Sequence, residues 1–337
     1  MRNNAVIDTF RDLMVCYESG FALTLLRSLG LLLTDSASPV KPARVLVTGA
    51  DGTIGRPVVE ALLSAGISVT ALSTAWSGPS PADRVFTGDA ADETLVRQAL
   101  EDADAVVHLA AIPHPGLGTA REVFVGNTSA TFTVLNVAGE VGVRRAVIAS
   151  SINAFGVPFN RHDLTPAYYP LDELSPVAHD DAYSLSKWVD EQTGAWAHSR
   201  WGIAVVALRF PLVRDLPELR EIAARLSRNP GEQARLAREG WAYLAMADGL
   251  DAVLRGLTHP ISGMHTLLLA AEDTLVEEPT DLLLDRFAPT SERRRSFPGR
   301  TAPIDTSAAR RVLGWVPRHR LGDPSGPINA TFQETPA

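Results

Sequence analysis

The chain has 337 residues, 45% of them hydrophobic, enough to bury a large core in one domain or two. A formal net charge of -8 disfavours the phosphate attraction on which nucleic-acid binders rely, and the basic run Arg293 to Arg295 reads as a solvated face. The single cysteine, Cys16, cannot form an internal disulfide, which fits a reducing, cytoplasmic setting.

At the amino end, Ile7, Phe10, Met14, Tyr17, Phe21 and Leu25 recur at spacings of three and four, one face of an amphipathic helix. Residues 1–40 therefore read as a helical extension and linker that packs on the body or on a second subunit, which leaves a homodimer open. The apolar run Phe21 to Leu33 is interrupted by Arg27 and Gly30 and is too short and polar to span a bilayer, so no membrane partner is expected. Asp8, Asp12 and Glu18 are unlike the basic start of a signal peptide. The Ser/Pro-rich stretch Asp35 to Pro42 reads as the linker.

From there the pattern is strand, turn, helix, repeated. Arg44 to Thr48 is a β-rich run, followed by a glycine turn and an apolar helical face through Val58, Val59, Leu62 and Leu63. Strands are predicted at Ser68 to Leu72, Arg84 to Thr87, Ala105 to Leu109, Ala146 to Ser150 and Ile203 to Arg209, with helices between most of them. Such alternation predicts an α/β fold, a Rossmann-type doubly wound parallel sheet with helices on both faces. Residues 41–210 are expected to form this dinucleotide-binding domain. Beyond Pro211 the rhythm changes. Leu216 to Glu239 reads as helical with a break at Asn229 to Gly231, Met264 to Leu269 as a strand, and Thr280 to Arg286 and Ser307 to Leu313 as short helices. Residues 211–337 are expected to be mainly a small substrate-capping lobe, built with the loop from Val157 to Asp180, with some segments returning to the Rossmann core.

Two constellations carry chemistry. Thr48 to Gly55 places glycines at 49, 52 and 55 between a strand and a helix. Glycines there permit a tight turn and close backbone approach to a pyrophosphate, and the helix amino terminus offers N–H donors and a positive dipole end. Gly49, Asp51, Gly52, Thr53, Ile54 and Gly55 are the candidate cradle. The second strand carries no acid at its end for an NAD ribose and no adjacent Arg for a 2′-phosphate, and the hydroxyls of Ser73 and Thr74 suit either NAD or NADP. Asp89, next to Ala90, is a candidate for the adenine edge, with a helix cap before Glu93 as the competing reading.

The second constellation is Tyr183-Ser-Leu-Ser-Lys187. On a helix, positions i and i+4 share a face, so the ammonium can stabilise a phenolate. A tyrosine needs such help, because its ordinary pKa near 10 is too high for a base at neutral pH. The motif lies downstream of Ser150-Ser151, which close a central strand, and ligands of parallel sheets bind at strand carboxyl ends. Either serine can supply the catalytic hydroxyl on this reading. His108 reads as a satisfied structural histidine. His114 lies near the expected cleft, and Arg214 is a candidate anion clamp with an exposed salt bridge as the default. No His/Cys/carboxylate cluster has metal-ligand spacing.

The motifs TGADGTIG, His108-Leu-Ala-Ala111, Ser150 to Gly156, YSLSK and Leu208 to Pro211 follow the order seen in extended short-chain dehydrogenases/reductases. The chain resembles that NAD-dependent epimerase/dehydratase group over about Lys41 to Arg320, including Ala308 to Pro317, which is similar to its carboxyl-terminal signature. The resemblance implies Ser151 as the hydroxyl that holds the substrate oxygen, Tyr183 as acid/base and Lys187 as its tuner and ribose ligand. It implies Asn127 as the group's helix asparagine. Leu109, Ala110, Ala111 and the Phe210 to Val213 backbone would line the cofactor, and Asn153 and Arg214 would face substrate. Dehydratases of the group carry an Asp-Glu pair where this chain has Ile152 and Asn153, so dehydration is not expected. The layout is similar to compact small-substrate dehydrogenases such as uronate dehydrogenase. The expectation is an NAD(P)-dependent oxidoreductase acting on a secondary alcohol or ketone of a small molecule. A sugar epimerase that keeps its NAD and a dinucleotide-sensing protein without turnover are the alternatives.

Overall fold

The structure, a computed structural model, describes residues 41–322. The expected helix through Ile7 and Leu25, and the part of the capping lobe beyond residue 322, lie outside the described residues.

Seven parallel strands form one sheet: β1 (Arg44–Thr48), β2 (Ser68–Ser73), β3 (Arg84–Thr87), β4 (Ala105–His108), β5 (Arg145–Ser151), β7 (Ala204–Phe210) and β10 (Met264–Leu268). Their order is β10-β7-β5-β4-β1-β2-β3, all pairs parallel. The chain winds outward from β1 to β3, crosses back to β4 on the other side of β1, and winds outward again. The reversal puts a crevice at the carboxyl ends of β1 and β4, the place where such sheets bind ligands.

Alternation along each strand supplies two faces. Val45 and Val47, Val69 and Ala71, and Val206 and Leu208 join a core with α1 (Gly55–Ser64), α7 (Met246–Thr258) and α9 (Ser307–Leu313). Leu46, Leu72, Val106, Ile148 and Val205 join the opposite core with α2 (Glu93–Ala99), α3 (Ala120–Glu140) and α4 (Ala182–Trp201). Each fully buried Val, Leu or Ile contributes roughly 1.5–3 kcal/mol, so the two layers dominate the stability of the sheet.

A third apolar cluster stands apart from the sheet faces. It joins Phe155 and Tyr169 to Leu219 of α5 (Leu216–Leu226), Leu236 of α6 (Pro230–Ala237), Tyr243 of β9 (Tyr243–Ala245) and Leu284 of α8 (Thr280–Phe287). Two-stranded pairings brace it: β8 (Leu212–Arg214) with β9, and β6 (Tyr168–Tyr169) with β11 (Glu292–Arg293). The break between α5 and α6 comes earlier than the sequence suggests, because Asn229 caps α6 by accepting from the Glu232 N–H, and Pro230 opens that helix.

Candidate functional site

Built from β1 outward, the first feature is the glycine turn. Gly49 has φ +65°, and a Cβ there would stand 2.7 Å from the Ala110 nitrogen. Only glycine lets the turn after β1 close on the turn after β4, so Gly49 sits directly against Leu109 and Ala110. A Cβ at Gly55 would meet the Gly49 carbonyl at 2.1 Å, whereas one at Gly52 would meet only that oxygen, at 3.1 Å. Gly49 and Gly55 are thus required by the turn itself, and Gly52 leaves its outer face open. No side chain caps α1, and its first turn carries no acid. An uncapped helix amino terminus behind an open glycine suits an anionic pyrophosphate, so these residues fit a dinucleotide.

Arg56, which the sequence reading passed over, reaches the loop after β2. Its guanidinium lies 3.0 Å from Ser77 Oγ and 2.5 Å from Asp51 Oδ1. Asp51 accepts the Ser77 N–H at 2.7 Å. Desolvation would raise the Asp51 carboxyl, but the Ser77 hydrogen bonds and the Arg56 charge hold it below its ordinary value. Ser73 is buried at the end of β2, and Thr74 is exposed. Asp89 is exposed and accepts the Ala91 N–H within its own turn, while the cap of α2 is Asp92. The helix-cap reading of Asp89 is thereby corrected.

Below the turn, His108 is buried between Thr48 Oγ1 at 2.8 Å and Thr131 Oγ1 at 3.1 Å. Burial, aided by the nearby Lys187 charge, pushes its pKa down to about 3, so the ring is neutral. The structural-histidine expectation agrees with this geometry. Asn127 accepts the Ile112 N–H at 2.7 Å and donates to the Ile112 carbonyl and to Ser186 Oγ. Its amide ties the loop after β4 to α4.

α4 begins at Asp181, which accepts the Ser184 N–H, and it carries Tyr183 and Lys187, both buried, on the side facing β5. Lys187 Nζ donates to the Ala149 carbonyl at 2.9 Å, near the end of that strand, and lies 3.3 Å from Asp190 Oδ2. The two serines are partnered differently. Ser150 Oγ donates to the buried Glu191 carboxylate at 2.6 Å, and Glu191 is in turn gripped by Arg209 at 2.8 and 2.9 Å. Ser151 Oγ accepts the Asn153 N–H at 3.1 Å and keeps its own proton free to donate. Asn153 is buried, and its Oδ1 has no hydrogen-bond partner.

Gly156, at φ +83°, packs against the backbone of Ala178 and His179, holding the loop after β5 near the start of α4. Phe159 then stands edge-on to Tyr183 with ring centroids 6.2 Å apart, and His114 edge-on to Phe159 at 4.9 Å. The sequence pattern did not single out Phe159; no local signal marks a loop aromatic. Ala90, Phe210 and Val213 are buried, and Phe210 and Val213 pack in the core beside α7. Arg214 is held by Glu218 at 2.9 Å. Among the described residues there is no group of three or more potential metal ligands, and no helix long and apolar enough to cross a membrane.

A doubly wound sheet, a glycine cradle at its switch point and a Tyr-Lys helix define a dinucleotide-dependent enzyme of the extended short-chain dehydrogenase/reductase type. The family model described as NAD dependent epimerase/dehydratase family matches residues 45–214, and the chain belongs to that family. A uronate dehydrogenase from Pseudomonas putida is 28% identical over 68% of this chain and 76% of its own length. A 3-diazoavenalumate denitrifying reductase from a Streptomyces species is 30% identical over 85% of this chain and 92% of its own. A UDP-glucose 4-epimerase from Lacticaseibacillus casei is 29% identical over 49% of this chain, and the match spans 50% of that enzyme. In fold, the chain is similar to MoeE5 solved with UDP-glucuronic acid and NAD, at a TM-score of 0.62 and 22% identity, covering 82% of this chain and 95% of that one.

Proposed function

We propose that the protein catalyses NAD(P)-dependent oxidation and reduction at a secondary alcohol or ketone of a small substrate through Ser151, Tyr183 and Lys187. The observation that carries the reading is Lys187 docked on the Ala149 carbonyl, which seats the Tyr-Lys face of α4 at the carboxyl end of β5 beside Ser151. Ser151 donates its free proton to the substrate oxygen. Tyr183 takes the hydroxyl proton during oxidation and returns it during reduction. Lys187 has three N–H donors, of which Ala149 and Asp190 occupy two. The third is left to steady the Tyr183 phenolate, and it would hold a ribose hydroxyl of the bound cofactor. The cradle of Gly49, Gly52 and Gly55 would hold the dinucleotide, which would supply the hydride-transfer chemistry there. Ser150 is the weaker candidate for the catalytic hydroxyl, because its proton is committed to Glu191. Asn127 acts by holding the loop after β4. Asn153, with an unpartnered buried oxygen, is the better substrate contact, and Arg214 the poorer one while Glu218 holds it.

Ile152 and Asn153 provide neither the acid nor the base that elimination of water needs, which argues against dehydration. The third apolar cluster is our candidate for the substrate-capping lobe, since Phe155 and Val157 run into it directly from Ser151. Net redox chemistry is favoured over epimerisation because the relatives aligned over most of their length are a dehydrogenase and a reductase, whereas the epimerase aligns over half. A homodimer through α3 and α4 is supported by the exposed Val125, Phe132 and Leu185 on those helices, and light scattering tests it.

The deciding experiment is a panel of uronates, free sugars, steroids and polyketide ketones, read by absorbance at the nicotinamide band. The proposal expects stoichiometric gain or loss of NAD(P)H with at least one class. Isomer exchange without net cofactor change would favour the epimerase, and binding without turnover a sensor.

A further inference from the structure

Lys187 has a buried counter-ion whose charge the mechanism above leaves out of account. Asp190, one turn after Lys187 on α4, is 2% exposed, and its Oδ2 lies 3.3 Å from Lys187 Nζ. Its Oδ1 makes no direct hydrogen bond, and the Thr131 hydroxyl beside it favours the ionised form. Behind Thr131 runs a buried line of polar groups. The Ala110 N–H donates to Thr48 Oγ1, which is hydrogen-bonded to His108 Nδ1, and His108 Nε2 is hydrogen-bonded to Thr131 Oγ1. This line links the glycine turn to the Thr131 hydroxyl beside the Asp190 carboxylate.

The other charges near this pair are accounted for. On α4 itself, Glu191 is matched by Arg209 of β7 and accepts from Ser150 of β5. From β4, His108 presents a neutral ring. From β5, Ala149 presents a carbonyl. Burial pushes the Asp190 carboxyl up, while Lys187 and Thr131 oppose the rise. Asp190 is therefore the group whose charge acts on Lys187 without another charged partner of its own.

We propose that Asp190 is a positioning residue for catalysis, fixing the Lys187 ammonium and offsetting part of its positive field at Tyr183. The inference rests on the Ser151-Tyr183-Lys187 reading. Its consequence is macroscopic. A negative charge beside Tyr183 and Lys187 makes the first proton harder to remove, whichever group loses it. Neutralising Asp190 must lower the pH at which that proton leaves.

The test compares wild type, Asp190→Asn and Asp190→Ala, the second in case the amide cannot be accommodated. In the oxidation direction, the acidic limb of kcat/KM against pH should move down by on the order of one pH unit in either variant. Tyrosinate absorbance of the cofactor-free protein gives an independent readout. The titration step that Tyr183→Phe removes should shift down by a similar amount in Asp190→Asn. A limb and a tyrosinate step that both stay at the wild-type pH, or that move up, overturn the proposal. If Tyr183→Phe keeps full turnover, the catalytic reading itself has failed. If Tyr183→Phe is inactive and Asp190→Asn leaves the limb in place, only the role of Asp190 has failed.

Discussion

Replacing glycines of the cradle separates a turn requirement from a ligand requirement. At Gly55 an added Cβ would stand 2.1 Å from the Gly49 oxygen and 2.9 Å from Ala50 Cα, both backbone atoms that cannot swing aside. Gly55→Ala should therefore destabilise the protein by about 1–3 kcal/mol, as overpacking does. At Gly52 the sole close contact is the Gly49 oxygen at 3.1 Å, which a shift of a few tenths of an ångström relieves. Gly52→Val should cost the cofactor-free fold less than about 1 kcal/mol. Its branched side chain fills the open face in front of the uncapped amino terminus of α1. Losing two charge-assisted hydrogen bonds to the pyrophosphate, at roughly 1.5–3 kcal/mol each, weakens dinucleotide binding more than about 100-fold. Denaturant unfolding and titration calorimetry with NAD and NADP measure both quantities. Near-wild-type affinity in Gly52→Val, or an undiminished stability in Gly55→Ala, would refute the reasoning.

Other expectations follow from single residues. Burial pushes the Glu239 carboxyl up to about 7, so the folded state holds that proton more tightly than the unfolded chain. Its contribution is full below the ordinary carboxylate value and fades as pH rises toward 7. Glu239→Gln should therefore be the more stable protein at pH 8, by up to about 3 kcal/mol, and equal wild type at pH 4; a constant difference across pH would contradict this. Ser150→Ala removes a buried donor to Glu191 and should lower stability by about 1 kcal/mol while keeping most turnover; loss of turnover would make Ser150 the catalytic hydroxyl. Arg56 reaches from α1 to the Ser77 loop and β2 ends without a carboxylate, so Arg56→Ala should weaken NADP more than NAD, by about tenfold; equal losses would remove Arg56 from 2′-phosphate recognition.

Much of the sheet was legible because its strands are short apolar runs between turn signals. Arg44–Thr48 and Arg84–Thr87 match the sequence reading residue for residue, and the others differ at their ends. Met264 to Leu269 reads as a strand, but the place of Met264–Leu268 beside β7 at the sheet edge depends on a long-range pairing that no local pattern encodes. The pairings β6–β11 and β8–β9 have two or three residues per strand, too few for a period to register. The helix α7 did carry a signal, since Gly249, Ala252, Val253, Gly256 and Leu257 are buried at helical spacing. In the site, the Tyr183 and Lys187 spacing is readable on one helix, whereas Asp190 stands out only once its burial and its contact with Lys187 are known. The reach of Arg56 to Ser77 was not, because it requires the loop after β2 to fold back over α1.

The central claim is that Tyr183 moves the proton that accompanies net hydride transfer. The most direct measurement is the rate of NAD(P)H change, with the substrate the panel identifies, in wild type and Tyr183→Phe at equal cofactor occupancy. The variant keeps the ring that faces Phe159 and lacks only the hydroxyl. The account predicts unchanged dinucleotide affinity and a rate lower by about 10²–10⁴-fold. A variant that retains more than about half the wild-type rate, far above what loss of a general acid–base group allows, would contradict it.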